Sequence, residues 1–355
     1  MSHLTLFTLA FLLLTTSATP PKPPPCPSLP PGSFTISAFQ LYPENASWDA
    51  ARCLLYLSVL FNASLAIHNP YTSTTRTVTF PGLTGRPNLS ASGLTWDPYT
   101  NLLSVILNSP TPFLTAGQNV SGDNFLVRYD PSTDLVLWSV NLTAVSGGLY
   151  GGFQEVEHDA RGNAYVAGTH PSSILKVDKH GRHTKVWYLP EGPLVTGPRG
   201  YSGLASTGDV LLANDNKGGT GGEIHRFDMR DPKGVPVVVP RTPDVFIPDA
   251  NGIYMPPRYR GTVLLVAINT VGVMVLRSKD GRWRTAEHLG TVVNNVTLAG
   301  PDAIVPTAVQ VGERVYMVEL YFAGTIVPGT NAGNRTLWPM YDITDQLEDL
   351  LLGET

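Results

Sequence analysis

The sequence predicts an all-β protein, a six-bladed β-propeller with four-stranded blades. Three observations predict it: a repeat with a period near fifty residues, a short apolar run after each repeat start, and abundant turn formers. Of the 355 residues, 34 are Gly and 31 Pro, and only 15% are charged, which suits short strands joined by tight turns. The repeat starts at Glu44-Asn45-Ala46-Ser47-Trp48-Asp49, Ser92-Gly93-Leu94-Thr95-Trp96-Asp97 and Gln154-Glu155-Val156-Glu157-His158-Asp159. It returns at Ser202-Gly203-Leu204, Asn251-Gly252-Ile253 and Asp302-Ala303-Ile304, so successive starts lie 48, 62, 48, 49 and 51 residues apart.

In chain order, residues 1–18 read as a signal peptide. Leu4 to Leu14 is an apolar run too short to span a bilayer, and Thr16 and Ala18 supply small residues for cleavage after Ala18. Residues 19–32 form a Pro-rich, extended arm. The two cysteines, Cys26 and Cys53, are expected to pair in an oxidising lumen and pin this arm, with two free thiols as the alternative. Residues 33–342 hold the propeller. Phe34 to Phe39 supplies a strand to complete the last blade and remove a sheet edge. Runs such as Leu102–Leu107, Val210–Ala213 and Thr262–Ala267 are short, apolar and bounded by turn residues, as for strands buried between blades. Residues 343–355 form a tail, with Leu347, Leu350 and Leu351 on one face of a short helix. Seven glycosylation sequons, at Asn45, Asn62, Asn88, Asn119, Asn141, Asn295 and Asn334, fit the secretory pathway, with the protein secreted or held in a vesicle or vacuole lumen.

Composition and motifs exclude several functions. Acidic and basic residues number 28 and 24, a formal net charge of −4, so no general basic field gathers nucleic acid. No later run is apolar for long enough to span a membrane. P-loop, Gly-x-Ser-x-Gly and His-Glu-x-x-His motifs do not occur, and the eight histidines are scattered. No metal site and no cofactor are expected.

The first residues of the six repeats, Glu44, Ser92, Gln154, Ser202, Asn251 and Asp302, are all polar. They should converge at the mouth of the central channel as donors and acceptors for a ligand, or else cap strand ends and bind channel water. A second set closes the following strands: Ser58, Asn108, His170, Asn214, Asn269 and Glu319. Glu319 sits in an apolar run with Tyr321, so it is either a functional acid or half of an ion pair with an Arg such as Arg284. Glu155 and Glu157 share a strand face, while His158 aligns with Trp48 and Trp96 and reads as packed.

Pro43–Asp49, Asp249–Ile253 and Gly300–Ala303 resemble motifs of the senescence-marker/gluconolactonase propellers. That resemblance implies a divalent metal held by Glu, Asn and Asp, matched in type by Glu44, Asn251 and Asp302. The phase departs from that family, since the Asn and Asp motifs fall one blade late. Gly152–Asp159, Ala164–Thr169, Pro171–Val177, Leu211–Asn216 and Leu337–Ile343 are similar to a family of secreted fungal propellers. It includes the core trichothecene-cluster protein and the hetero-Diels–Alderases of tropolonic sesquiterpene pathways. The resemblance implies a pericyclase that joins a tropolone o-quinone methide to a humulene-type sesquiterpene. Glu155, Glu319 and Asp302 are the candidate acids. Gln154, Asn251 and Ser92 would polarise tropolone oxygens, with Glu44, Ser202, Asn269 and Tyr321 as further substrate contacts and mouth aromatics holding the polyene. The alternatives are a trichothecene-type ring closure, a metal-dependent lactonase and a non-catalytic binding propeller.

Overall fold

In a computed structural model, residues 25–294, 300, 302–322 and 324–353 are described. Six four-stranded antiparallel blades surround a channel. The innermost strands of the first five are Pro43–Asp49, Ser90–Asp97, Gly151–His158, Tyr201–Thr207 and Ala250–Tyr254. The fifth blade carries an extra short strand, Arg241–Thr242, parallel to its edge. The sixth blade runs Ala308–Val311, Arg314–Val318, Leu337–Asp342 and then Phe34–Ser37 from the other end of the chain. Phe34 pairs with Met340 and Ser37 with Leu337, so a strand from one end of the chain completes the last blade and fastens the ring.

The small second residue of the repeat has a steric cause. The first five inner strands are bulged there, with register shifts at Pro43/Ala46, Ala91/Leu94, Phe153/Glu155, Tyr201/Gly203 and Ala250/Ile253. A Cβ on Gly93 would lie 2.2 Å from the Gln154 carbonyl oxygen, one on Gly203 2.6 Å from the Ile253 nitrogen, and one on Gly252 2.8 Å from the Pro306 oxygen. The glycines let neighbouring inner strands close around the axis. Between blades lie apolar layers such as Tyr56, Leu65, Leu94, Leu103 and Val105, which hold the wedges together by burial.

The sixth repeat start needs correction. Asp302 does not open an inner strand. Ala303–Ile304 instead pairs with Leu320–Tyr321 in a two-stranded ribbon. The hairpin pair Val311–Arg314 corresponds to Thr207–Val210, and counting back from it puts Pro306 where Ser202 stands in blade four. An upstream Asp-Ala-Ile imitates the repeat because it too is a polar residue leading into a short apolar strand.

Cys26 and Cys53 are bonded, with Cα atoms 5.5 Å apart. A C-terminal helix, Thr344–Leu352, buries Leu347 against Val315, Val292 and their neighbours. No helix among the described residues is long and apolar enough to cross a membrane.

Candidate functional site

Inner strands begin, and second strands end, on the same face, because adjacent strands are antiparallel. A cavity of about 410 Å³ opens there. Four predicted ring residues line it, Glu44, Ser92, Gln154 and Asn251, and Asn108, His170 and Asn269 join them from the second strands. The walls are apolar: Leu60 and Phe61 from blade one, Phe113 and Leu114 from the short helix Thr111–Leu114, and Leu320 and Phe322 after the second strand of blade six. Phenylalanine supplies the aromatic wall, and no Trp or Tyr belongs to the lining among the described residues.

The remaining candidates lie elsewhere, each for a local reason. Ser202 is fully buried. Its Oγ donates to the Ala250 oxygen at 2.7 Å and accepts from Asn214 Nδ2 and Asn216 Nδ2, each at 2.8 Å, so it ties blade four to blade five. Glu155 faces away from the large cavity. It lines a second space of about 40 Å³ lower in the channel together with Glu157, as expected for residues on one strand face. Asn45 and Glu155 stand where Gly93, Gly203 and Gly252 stand in other blades, and Asn45 Nδ2 donates to Glu155 Oε1 at 2.6 Å. Glu319 and Tyr321 alternate with Leu320 and Phe322, so they point away from the cavity. Tyr321 packs under the Arg335 guanidinium, 3.3 Å from its ring centre. Glu319 is fully buried, and its neighbour is Asn294 Nδ2 at 3.5 Å, not Arg284. Burial pushes its carboxyl up to about 8. Asp302 is not among the lining residues. His158 is packed, with Nε2 2.9 Å from Ser104 Oγ and 2.6 Å from Arg128 Nη1.

Glu44 is therefore the one carboxyl group in the lining among the described residues. Burial at the floor pushes it up to about 8, opposed by the charge of Arg199, so it is largely protonated at neutral pH. Arg199 also lines the cavity and pairs through Nη1 with Asp249. Asn251 Nδ2 donates to Asn269 Oδ1 at 3.0 Å, and Asn269 Nδ2 to Asp249 Oδ2 at 2.7 Å. His170 is lowered by burial, with Nδ1 2.8 Å from the Thr196 oxygen. Four lining residues carry a buried polar atom without a hydrogen-bond partner among the described residues: Glu44 Oε2, Ser92 Oγ, Asn108 Oδ1 and Arg199 Nε. Such unspent capacity around one concavity marks a ligand site.

The Glu-Asn-Asp metal set does not fit. Glu44 and Asn251 reach the cavity but Asp302 does not, and among the described residues no three His, Cys, Asp or Glu side chains converge. Arg199 and the phenylalanines had no signal in the repeat, since Arg199 sits in the loop between blades three and four and Phe61, Phe113 and Phe322 in the connections that follow second strands. The only cue was the Gly197-Pro198-Arg199-Gly200 loop itself.

Of the seven sequons, Asn62, Asn88, Asn119, Asn141 and Asn334 lie on this mouth face, before an inner strand or at and after the ends of second and fourth strands. Asn62, Asn88, Asn119, Asn141 and Asn334 are exposed. Asn45 is buried against Glu155, which corrects the expectation of a glycan there. Asn295 lies outside the described residues.

Residues 18–255 match the family described as Mal s 1 allergenic protein-like. Trichothecene biosynthesis protein 14 of Trichoderma arundinaceum is 37% identical over 346 residues, 92% of each chain. The core trichothecene cluster protein 14 of Fusarium sporotrichioides is 34% identical over 349 residues, 93% of this chain and 89% of its own. Among solved structures, the Malassezia sympodialis allergen Mala s 1 superposes with a TM-score of 0.74 at 22% identity, over 88% of this chain and 96% of its own. A Xanthomonas campestris gluconolactonase reaches 0.53 at 14% identity, over 87% and 89%.

Proposed function

The chain belongs to the Mal s 1 allergenic protein-like family, and from that membership we propose that it is an acid-assisted cyclase of a fungal terpenoid or meroterpenoid cluster, working without a cofactor. The observation that carries the reading is a cavity of apolar walls with one carboxyl group, Glu44, held protonated at its floor.

In its most specific form the reaction is a hetero-Diels–Alder addition. A hydroxymethyl tropolone enters; Glu44 gives its proton to the departing hydroxyl, the C–O bond breaks, and water leaves. The tropolone gives up its O–H proton to solvent on binding, so loss of water leaves a neutral o-quinone methide, and the Glu44 carboxylate takes its proton back from solvent before the next turnover. One C–C and one C–O bond then form to a humulene-type polyene lying against Phe61, Phe113 and Phe322. No electrons are exchanged with the protein. Holding both partners in one pose contributes most of the rate, and the apolar wall keeps water from the quinone methide. The names of the two full-length relatives favour a second form, ring closure of a single oxygenated sesquiterpene in the same cavity with Glu44 again the acid. The signal-like segment lies outside the described residues, and residence in the secretory pathway stands as part of the same proposal.

The test incubates purified protein and chelator with a hydroxymethyl tropolone and humulene, following adducts by mass spectrometry and chiral separation. One enantiomer, formed faster than the background and lost in Glu44→Gln, is expected. Racemic background alone would remove the cycloaddition and leave the single-substrate form. Lactone opening restored by a divalent ion would overturn both.

A further inference from the structure

Arg199 does nothing in the proton transfer above, yet it is the one cation in the cavity lining among the described residues, with His170 kept neutral by burial. A guanidinium offers five N–H donors in a planar fork. Here Nη1 alone has a partner, Asp249, and the buried Nε has none. The edge formed by Nε and Nη2 is therefore unspent. The scaffold holds that edge in place from behind: the Asp249 carboxylate that takes Nη1 is itself anchored by Asn269 Nδ2 at 2.7 Å. The loop backbone is pinned by Gly200 N on the Thr169 oxygen and by Gly218 N on the Arg199 oxygen, both 2.9 Å. A charged donor pair fixed at the edge of an apolar cup is costly unless a ligand completes it.

We propose that the Nε–Nη2 edge of Arg199 seats a planar pair of vicinal oxygens, which makes an anionic α-oxygenated ring such as a tropolonate the ligand class of the cavity's polar end. One hydroxyl occupies one donor, whereas two coplanar oxygens a fork-width apart take both in a bidentate, charge-assisted contact. Arg199 and Glu44 act on each other electrostatically across the same floor, so a ring seated on the arginine presents its substituent to the acid. The assignment rests on the cyclase reading and narrows it, because a sesquiterpene alcohol carries no acidic oxygen pair.

The experiment measures binding, not turnover. Tropolone and its one-oxygen analogue tropone are titrated by calorimetry into wild type, Arg199→Lys and Arg199→Met, with circular dichroism confirming the fold of each variant. Tropolone should bind wild type and weaken by roughly tenfold or more in both variants, since lysine keeps the charge but loses the fork. Its absorption spectrum should shift to that of the anion when bound to wild type. Tropone should bind all three proteins within about twofold. Equal tropolone affinity in wild type and Arg199→Met, or no preference for tropolone over tropone, overturns the assignment. Tropolone seated on Arg199 with no adduct formed sinks the cycloaddition and leaves this inference standing. Adduct formation by Arg199→Met at the wild-type rate does the reverse.

Discussion

Replacing Glu44 with Gln should stabilise the protein as pH rises while removing its chemistry. Glu44 has its carboxyl raised from 4.5 to about 8, chiefly by burial. Between those values the folded state holds a proton that the unfolded chain has released. Stability contributed by this group is thus full below about pH 4.5 and falls as pH climbs towards 8. Complete burial would cost about 1.4 kcal/mol for each pH unit in that window. The cavity admits solvent to part of the side chain and screens it, so about half is retained, roughly 2 kcal/mol between pH 5 and 8. Glutamine keeps the shape and never ionises.

Urea denaturation of wild type and Glu44→Gln at intervals from pH 5 to 8.5 reads this directly. The two should match at pH 5 within about 0.5 kcal/mol, with the variant about 2 kcal/mol ahead at pH 8. Glu155→Gln should gain on wild type with pH in the same sense, because burial and the Glu44 charge raise Glu155 too, but it should keep turnover, because Glu155 is absent from the cavity lining. A difference that does not grow with pH would mean that Glu44 ionises in the ordinary carboxylate range. It would then be charged at neutral pH, and the proton donor of the proposed reaction would be lost.

Two further outcomes follow from the packing. Gly203→Ala drives a methyl to within 2.6 Å of the Ile253 nitrogen and 2.9 Å of the Asn251 oxygen, so its unfolding free energy should drop by about 2–3 kcal/mol; near wild-type stability would refute the role given to the bulge glycines. Glycopeptide mapping should find Asn45 bare, since its amide is committed to Glu155 inside the channel, and an occupied Asn45 would refute the inner-strand placement of that segment.

The repeat was legible because its chemistry is local. A bulge pressed against the next inner strand admits only the smallest residue, so Gly93, Gly203 and Gly252 recur at one place. The polar residue before each bulge then falls at the channel mouth, which is why Glu44, Ser92, Gln154 and Asn251 could be read as one site. Asp302 misled because a polar residue before a short apolar strand is not unique to inner strands; only the pairing of Val311 with Arg314 fixes the phase of the last blade. Ser202 was right in phase, yet its hydroxyl is consumed by Asn214 and Asn216 from the neighbouring strand, a competition visible only in three dimensions. The acidity at Glu155 and Glu319 was read correctly as unusual and wrongly as substrate-facing, because strand alternation turns each away from the cavity. Arg199, Phe113 and Phe322 obey no period at all, since connections outside the strands, two loops and the short helix Thr111–Leu114, position them.

The two repeats that break the glycine rule give the site its shape. Blades one and three carry Asn45 and Glu155 where three others carry glycine, and the two side chains meet over the gap that Gly93 leaves open. Both are almost fully buried, and burial together with the nearby Glu44 and Glu157 carboxyls raises Glu155 well above the usual range. Asn45 and Glu155 thereby plug the channel down to a space of about 40 Å³, and the upward shift of Glu155 disfavours a second charge near Glu44. A propeller with glycine at all six positions would be bored through from face to face, with water reaching the reacting atoms from below. With the plug in place the upper cavity is a cup, and its protonated acid, its arginine and its phenylalanine wall face a ligand from which water can be excluded on every side but one.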